Sequence, residues 1–245
     1  MPIIHDENWT DFQQQDSGFM PRESLFGELE GVPMFAEAIE LIAQAEWPSR
    51  IALMNREKAF PRFRYEEKKP VHQYQNGHPT CWAYSLTQAQ EMTDVVNHNK
   101  YVELAPESLC EVTGWRDRGY FCDRALQHAK LNGIAERSFV PQYSLDYRNY
   151  KSGWKENALK HRPVEVFDLG RYMWPEVVTA LLSGFTIYSG YNRFGHAIDL
   201  DSLVYENNRV GVSSPNTWQP KDRWTLFGKV AVPDEAFALR TVVVS

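Results

Sequence analysis

The stretch that decides the fold reads Gln75-Tyr-Gln-Asn-Gly-His-Pro-Thr-Cys81-Trp-Ala-Tyr-Ser85. A thiol is a strong nucleophile only as the thiolate, and a free cysteine has a pKa of about 8.5. Unpaired N–H groups at the first turn of a helix favour an anion, so a cysteine placed there ionises more readily. Gln75 precedes Cys81 closely enough to swing its amide toward the sulfur and donate to an oxyanion. The stretch therefore predicts a nucleophile at a helix start.

Apolar side chains at helical spacing predict helices in the first part of the chain. Residues 81–96 carry such spacing, which places the apolar side chains on one buried face. Two further helices are predicted over residues 122–131, with Gly133 as the stop, and over residues 175–183.

After residue 184 the pattern changes to short β runs. The predicted strands are residues 185–189, 197–205, 209–213, 229–232 and 240–244. Glu206-Asn207-Asn208 separates the second from the third and predicts a hairpin between them. Because helices come first and strands later, we expect an α+β fold with two unlike lobes rather than alternating βαβ units.

Two later segments supply the groups that a reactive thiolate needs. His196 lies in Phe194-Gly-His-Ala-Ile198, at the start of a predicted strand, and a histidine beside the sulfur can take its proton. That histidine needs an acceptor that fixes its ring, and Asn216 can serve as a neutral amide. Since the hairpin makes the two predicted strands neighbours, we expect His196 and Asn216 to lie on adjacent strands.

The order of these segments resembles that of the papain and cathepsin cysteine peptidases. In that family a Gln lies six residues before a Cys-Trp-Ala-aromatic-Ser helix start, and a His-Ala and an Asn-Ser-Trp segment follow. The matching residues here are Gln75, Cys81-Trp-Ala-Tyr-Ser85, His196-Ala197 and Asn216-Thr217-Trp218. The resemblance covers roughly residues 60–245. It implies a papain-like two-lobe fold, with a nucleophile helix in a helix-rich first lobe and an antiparallel β-rich second lobe. It also implies a catalytic set of Cys81, His196, Asn216 and Gln75, without a cofactor.

The chain departs from this family at several places. His78-Pro79-Thr80 replaces a Cys-Gly-Ser segment, so the usual disulfide is lost there. The double glycine that lines the substrate cleft is present only as Arg118-Gly119. The Gly-rich segment after Asn-Ser-Trp is replaced by residues 219–224, and residues 1–50 lack the helical inhibitory propeptide signature.

Charge divides the chain of 245 residues into an acidic N-terminal extension, 1–50, and a hydrolase domain, 51–245. The net charge is 26 − 32 = −6, so nucleic acid is not an expected partner. Residues 1–50 hold ten acidic and two basic residues, a net of −8, and residues 55–70 form a basic, extended approach to the domain. An amphipathic helix is predicted from Phe35 to Trp47. We expect it to dock on the domain, where the extension would regulate access or mediate assembly.

The cysteine and histidine content limits which cellular compartment and which cofactors we expect. Three cysteines, Cys81, Cys110 and Cys122, argue against a disulfide framework and for the cytoplasm or another reducing compartment. We expect Cys110 and Cys122 to be small buried hydrophobes. The remaining histidines lack metal-ligand spacing, so no metal is expected. No apolar run reaches the ~18 residues of a membrane span, and no secretory signal is visible.

Two hypotheses from different classes follow. The leading one is a thiol hydrolase, a cysteine peptidase acting on a peptide or protein, although an amidase or acyltransferase would use the same residues. The alternative is a structural or binding component of a larger assembly, such as a virion, that keeps the fold. The acidic extension and the altered cleft favour the alternative. Labelling of Cys81 by an electrophilic probe separates the two.

Overall fold

The computed structural model describes residues 1–13, 18–21, 39–115, 118–170, 174–219 and 222–241. The α-helices of this part are α1 (Trp47–Arg56), α2 (Pro61–Glu67), α3 (Cys81–His98), α4 (Pro106–Val112), α5 (Cys122–Asn132), α6 (Trp154–Ala158) and α7 (Trp174–Leu182). Its strands are β1 (Ile3–Ile4), β2 (Phe19–Met20), β3 (Tyr120–Phe121), β4 (Pro163–Asp168), β5 (Thr186–Tyr191), β6 (His196–Leu200), β7 (Ser202–Glu206), β8 (Arg209–Pro215), β9 (Arg223–Phe227) and β10 (Glu235–Thr241).

Helix α3 is the central helix of the first lobe. The prediction that it begins at Cys81 is confirmed, and it runs two residues past the predicted end, to His98. Asn99 ends it in the left-handed conformation, with φ 55°. Most of its side chains are buried on every face, because α4 and α5 of the first lobe and β5, β6 and β10 of the second lobe all pack against it. The helix therefore carries Cys81 to the junction of the lobes.

The helices predicted over residues 122–131 and 175–183 are confirmed as α5 and α7, each within one residue at either end. Gly133 follows α5 with φ +73°. A Cβ atom at this position would lie 1.8 Å from the carbonyl oxygen of Ala158. The turn after α5 therefore requires glycine both for its backbone conformation and for its close approach to α6.

The strands form two four-stranded sheets and one short pair. One sheet has the order β4-β10-β5-β6 with antiparallel neighbours. The other has the order β1-β9-β8-β7, in which only β1 runs parallel to its neighbour. The third unit is β2 paired in parallel with β3. Helices in the first half and antiparallel strands in the second confirm the α+β, two-lobe fold.

The predicted hairpin is confirmed, but the strand before it is interrupted. β7 and β8 pair around Asn207 and Asn208, whose φ angles of 50° and 59° suit a two-residue hairpin turn. The single strand predicted over residues 197–205 is divided at Asp201, whose carboxylate binds the Arg223 guanidinium. The chain changes sheets there. The prediction that His196 and Asn216 lie on adjacent strands is therefore wrong, because β6 and β8 belong to different sheets.

Three local predictions near prolines and glycines are also wrong. Of the helix predicted from Phe35 to Trp47, residues 35–38 lie outside the described residues, and 39–43 form no helix. Helix α1 begins at Trp47 instead, because a proline fits the first turn of a helix. Residues 55–70 are not extended but contain α2, which begins at Pro61. Residues 229–231 belong to a 3₁₀ helix, Gly228–Ala231, rather than to a strand.

The core is divided between the two lobes. One hydrophobic cluster surrounds α3 and includes Trp82, Leu86 and Leu126. The other fills the second lobe and includes Leu226 together with Ile4 of β1. The N-terminal extension therefore contributes a strand and a core residue to the second lobe. The boundary predicted between residues 50 and 51 falls inside α1.

Candidate active site

Cys81 occupies the first turn of α3, at the junction of the two lobes. The preceding residue, Thr80, makes no side-chain cap, so the first N–H groups of the helix remain free to face the sulfur. The backbone N–H of Ala197, on β6, donates to the Cys81 sulfur at 3.4 Å. This bond places the residue that follows His196 directly against the Cys81 sulfur of the other lobe.

His196 and Asn216 meet across the two sheets of the second lobe. The Nε2 atom of His196 lies 2.9 Å from Oδ1 of Asn216. Trp218 stacks on the His196 ring, with centroids 3.8 Å apart and an interplanar angle of 27°. Both His196 and Asn216 are buried. The indole therefore shields the bond between them from water, and the bond fixes one side of the imidazole.

Gln75 is tied to the segment that carries Asn216. Its Oε1 accepts a hydrogen bond from the Thr217 hydroxyl at 2.7 Å, and its backbone N–H donates to the Thr217 carbonyl at 3.0 Å. Its Nε2 donates to the His78 carbonyl at 2.7 Å, which uses one of the two amide hydrogens. The other amide hydrogen remains for a further acceptor. The fold thus brings all four sequence-predicted residues to one region.

The N-terminal extension crosses this region at residues 18–20. The Tyr120 N–H donates to the Gly18 carbonyl at 2.9 Å, and the Phe19 N–H donates to the Gly195 carbonyl at 3.2 Å. β2 is thereby held between β3 of the first lobe and the turn that precedes His196. We call residues 18–20 the plug, because Cys81 beneath them is 0% exposed.

Glycines on both walls make room for the plug. A Cβ atom at Gly18 would lie 2.4 Å from the Pro79 carbonyl carbon, and one at Gly119 would lie 3.0 Å from Gly18. A Cβ atom at Gly190, on β5, would lie 2.4 Å from the Phe19 ring. Real Cβ atoms essentially never lie within 3.0 Å of such atoms, and a contact of 3.0 Å is already tighter than most. The backbone of the plug therefore fits against Cys81 only because these positions carry no side chain.

Burial favours the neutral forms of both Cys81 and His196. It raises the pKa of the Cys81 thiol to about 12, although backbone hydrogen bonds at Ala197 and Gly18 act to lower it. Burial also lowers the pKa of His196 to about 3, opposed only by its bond to Asn216. His196 Nδ1 has no hydrogen-bond partner among the described residues. Desolvation thus outweighs the helix terminus and raises the pKa of the Cys81 thiol instead of lowering it.

The other cysteines behave as the sequence predicts. Cys110 and Cys122 are buried in the core of the first lobe, and all three cysteines are free thiols. Burial raises the pKa of both Cys110 and Cys122 well above the ordinary value. They are therefore unreactive thiols that pack as hydrophobes.

Sequence reasoning missed two contributors to this region. The first is the plug, whose only signal was a glycine at position 18 in an otherwise irregular segment. The second is Asp222, whose Oδ2 accepts hydrogen bonds from Asn216 Nδ2 at 2.9 Å and from Trp224 Nε1 at 3.1 Å. Its signal was the replacement of a Gly-rich segment by residues 219–224, which contain a carboxylate close after Asn216.

The described residues include no group of three or more His, Cys, Asp or Glu side chains that could hold a metal ion. Among the same residues, no helix combines the length and the apolar character needed to cross a lipid bilayer.

Comparison with solved structures identifies a papain-like fold. The digestive procathepsin L 3 of Tenebrio molitor larval midgut matches with a TM-score of 0.59 at 14% identity, over 96% of this chain and 77% of that chain. The Amb a 11 cysteine protease of ragweed pollen, in its proform, matches in one crystal structure with a TM-score of 0.58 at 15% identity, over 73% of this chain and 65% of that chain. A second crystal structure of that proform matches with a TM-score of 0.56 at 14% identity, over 74% of this chain and 66% of that chain.

The chain thus spans about two thirds of the length of the ragweed protein. No family model and no curated protein matches the sequence. At these identities the likeness shows the fold alone.

Proposed function

We propose that this protein is a latent thiol hydrolase, a cysteine peptidase whose substrate is a peptide or protein. Cys81 is the nucleophile, His196 the general base, Asn216 the residue that orients the imidazole, and Gln75 the oxyanion donor. The observation that carries the proposal is the convergence of these residues at the lobe junction. The Ala197 N–H contacts the Cys81 sulfur, while the neighbouring His196 ring lies 2.9 Å from the Asn216 amide.

In the proposed reaction, Nδ1 of His196 takes the proton of the Cys81 thiol. The sulfur then bonds to the carbonyl carbon of the substrate, and the resulting oxyanion accepts the second amide hydrogen of Gln75. When the tetrahedral adduct collapses, the C–N bond breaks and the imidazolium protonates the leaving amine. Water, deprotonated by Nδ1, attacks the thioester and releases the acid and the thiol. An amine in place of water would make the same residues an acyltransferase.

The plug makes the described state a resting state. Gly18 and Phe19 lie where an extended substrate would have to pass between Tyr120 and Gly195. Their departure would admit water to Cys81 and His196, which removes the desolvation that keeps both groups neutral. We therefore expect displacement of the plug to generate the reactive thiolate–imidazolium pair.

Cys81 labelling with an epoxide probe tests the proposal. We expect Phe19→Ala to weaken the plug and accelerate labelling about tenfold or more, because Phe19 is buried between the lobes. The modified residue is identified by mass spectrometry of the intact and digested protein. Cys81→Ala combined with Phe19→Ala is the matched control and should remain unlabelled.

The alternative hypothesis makes the opposite forecast for the same experiment. If Cys81 in the Phe19→Ala protein reacts no faster than Cys110 or Cys122, the site is not an activated thiol. The chain would then be better explained as a binding or structural component that keeps the papain-like fold.

A further inference from the structure

The Asn216 amide is held by more than the His196 ring. Its Oδ1 accepts the Trp218 backbone N–H at 3.2 Å, and its own backbone N–H donates to the Asp222 carbonyl at 3.0 Å. On its far side, Nδ2 donates to Oδ2 of Asp222 at 2.9 Å. Asp222 therefore contacts Asn216 through both its backbone and its side chain.

The Asp222 carboxylate can only accept in this arrangement. Besides Asn216, the Trp224 indole donates to Oδ2 at 3.1 Å, and the Arg223 backbone N–H donates to Oδ1 at 2.8 Å. Three N–H groups thus converge on one carboxyl group, as they do on an ionised carboxylate. An acceptor at this place obliges Asn216 to turn its NH₂ group toward Asp222, and hence its oxygen toward His196.

We infer that Asp222 is a positioning residue for the proposed reaction: it orients the Asn216 amide and so fixes which nitrogen of His196 carries hydrogen. An oxygen of Asn216 facing Nε2 requires that Nε2 bear the hydrogen. In the neutral ring, Nδ1 is then the unprotonated nitrogen, which is the atom that must receive the thiol proton. This inference rests on the proposed function for its catalytic meaning, but the orientation itself can be tested without activity.

A charge at Asp222 also affects the imidazolium that forms when His196 accepts that proton. Among the described residues, the charged or titratable groups near Asp222 include His72, Arg223 and Asp11, which lines the same cavity. The Arg223 guanidinium is bound to Asp201 on the opposite side, and the His72 ring contacts the Gln219 carbonyl at 3.0 Å. Asp222 is therefore the carboxylate that is connected to the His196 ring by hydrogen bonds through Asn216.

The orientation is tested by ¹⁵N NMR of the full chain labelled at histidine, at neutral pH. His196 signals are assigned by their loss in His196→Ala. We expect a single Nε2–H tautomer in the wild type. In Asp222→Ala, the Asn216 NH₂ group loses its acceptor, and we expect a mixture with the Nδ1–H tautomer. The matched control is Asp11→Asn, which removes a carboxylate from the same cavity beside Asn216 and Trp218 and should leave the tautomer unchanged.

The Asp222→Asn variant removes the negative charge but keeps the shape of the side chain and an oxygen that can accept a hydrogen bond. This variant should therefore fold even if Asp222→Ala does not. In a Phe19→Ala background, we expect the alkaline limb of the pH–labelling profile of Cys81 to move down by about 0.5 to 1 pH unit, because the imidazolium loses a nearby negative charge. A folded Asp222→Ala protein with a pure Nε2–H tautomer, or an unmoved alkaline limb in Asp222→Asn, would overturn the inference. Absence of labelling in every variant would instead contradict the proposed function, while the tautomer would still report on Asp222.

Discussion

The two sides of the His196 ring differ in how they are built. On the Nε2 side, the Asn216 amide, the Asp222 carboxylate and the Trp224 indole form a chain of hydrogen bonds. This side is backed by the N-terminal residues, since the Phe12 ring packs against Trp224 with centroids 5.9 Å apart. On the Nδ1 side, no described residue bonds to the nitrogen, and the plug covers the sulfur.

This difference separates the contacts of the Nε2 atom from those of the Cys81 sulfur. On the Nε2 side, the Asn216 amide, the Asp222 carboxylate and the Trp224 indole already hydrogen-bond to one another. The Nδ1 side is closed by a segment that is joined to its neighbours mainly through backbone hydrogen bonds and one aromatic ring. Its hydrogen bonds are therefore distinct from those that hold the Asn216 side.

The largest expected effect is on the labelling rate of Cys81 and comes from removing the imidazole ring of His196. In a Phe19→Ala background, we expect His196→Ala to slow probe labelling of Cys81 about 100-fold or more, because a positioned general base contributes a factor of that order. The rate is measured at pH 7 by intact-mass spectrometry. His78→Ala is the matched control, since His78 lies close before Cys81 in sequence, and it should change the rate less than about threefold. Equal effects of the two substitutions would contradict the role given to His196.

The next effect is on the free energy of unfolding and concerns strand β1, which contributes Ile4 to the second-lobe core. Ile4 is fully buried in the second-lobe core, whereas its neighbour Ile3 is 45% exposed. We expect Ile4→Ala to lower the free energy of unfolding by about 2–4 kcal/mol through the cavity that it leaves. The same change at Ile3 should cost less than about 0.5 kcal/mol. Denaturant unfolding measures both, and equal stabilities would mean that β1 is not part of the folded lobe.

A smaller effect is expected from a methyl group added to the plug. In Gly18→Ala the new Cβ would lie 2.4 Å from the Pro79 carbonyl carbon, so the plug must shift or leave. We expect labelling of Cys81 to accelerate about 10- to 100-fold, the range that an overpacking cost of about 1–3 kcal/mol allows. Thr10→Ala is the control: it changes an exposed residue of the N-terminal extension that lies outside the plug, and it should leave the labelling rate unchanged. Labelling that slows in Gly18→Ala would show that the plug does not limit access.

The last prediction concerns the response of the closed site to pH. Because burial raises the pKa of Cys81 to about 12, raising the pH converts thiol to thiolate only gradually. Iodoacetamide labelling of the wild type should therefore increase about tenfold per pH unit between pH 7 and 9, without a plateau. In Gly18→Ala, where water reaches the sulfur, the rate should level off at lower pH. A plateau below pH 8 in the wild type would mean that the thiolate already exists beneath the plug.

The local sequence pattern was sufficient to predict a helix or hairpin whose signal lies within its own residues. Helical spacing after Cys81 predicted α3, and Asn207-Asn208 predicted the β7–β8 hairpin, because both signals lie within a few residues of the structure that they specify. It failed for residues 39–43, which form no helix, and for residues 55–70, which contain α2 although an extended segment was predicted there. The break at Asp201, which is bound by the distant Arg223, also had no local signal.

For the candidate site, the sequence by itself determined which chemical groups are available and in what order. It specified a thiol at a helix start, an imidazole, an amide that can orient that imidazole, and a second amide for an oxyanion. Only the tertiary structure decided how these groups meet. The Asn216 amide reaches His196 from a different sheet, Asp222 turns that amide, and the plug buries Cys81 enough to keep the thiol protonated. These outcomes depend on contacts between residues far apart in the chain and on the loss of water around them, and local spacing does not encode either.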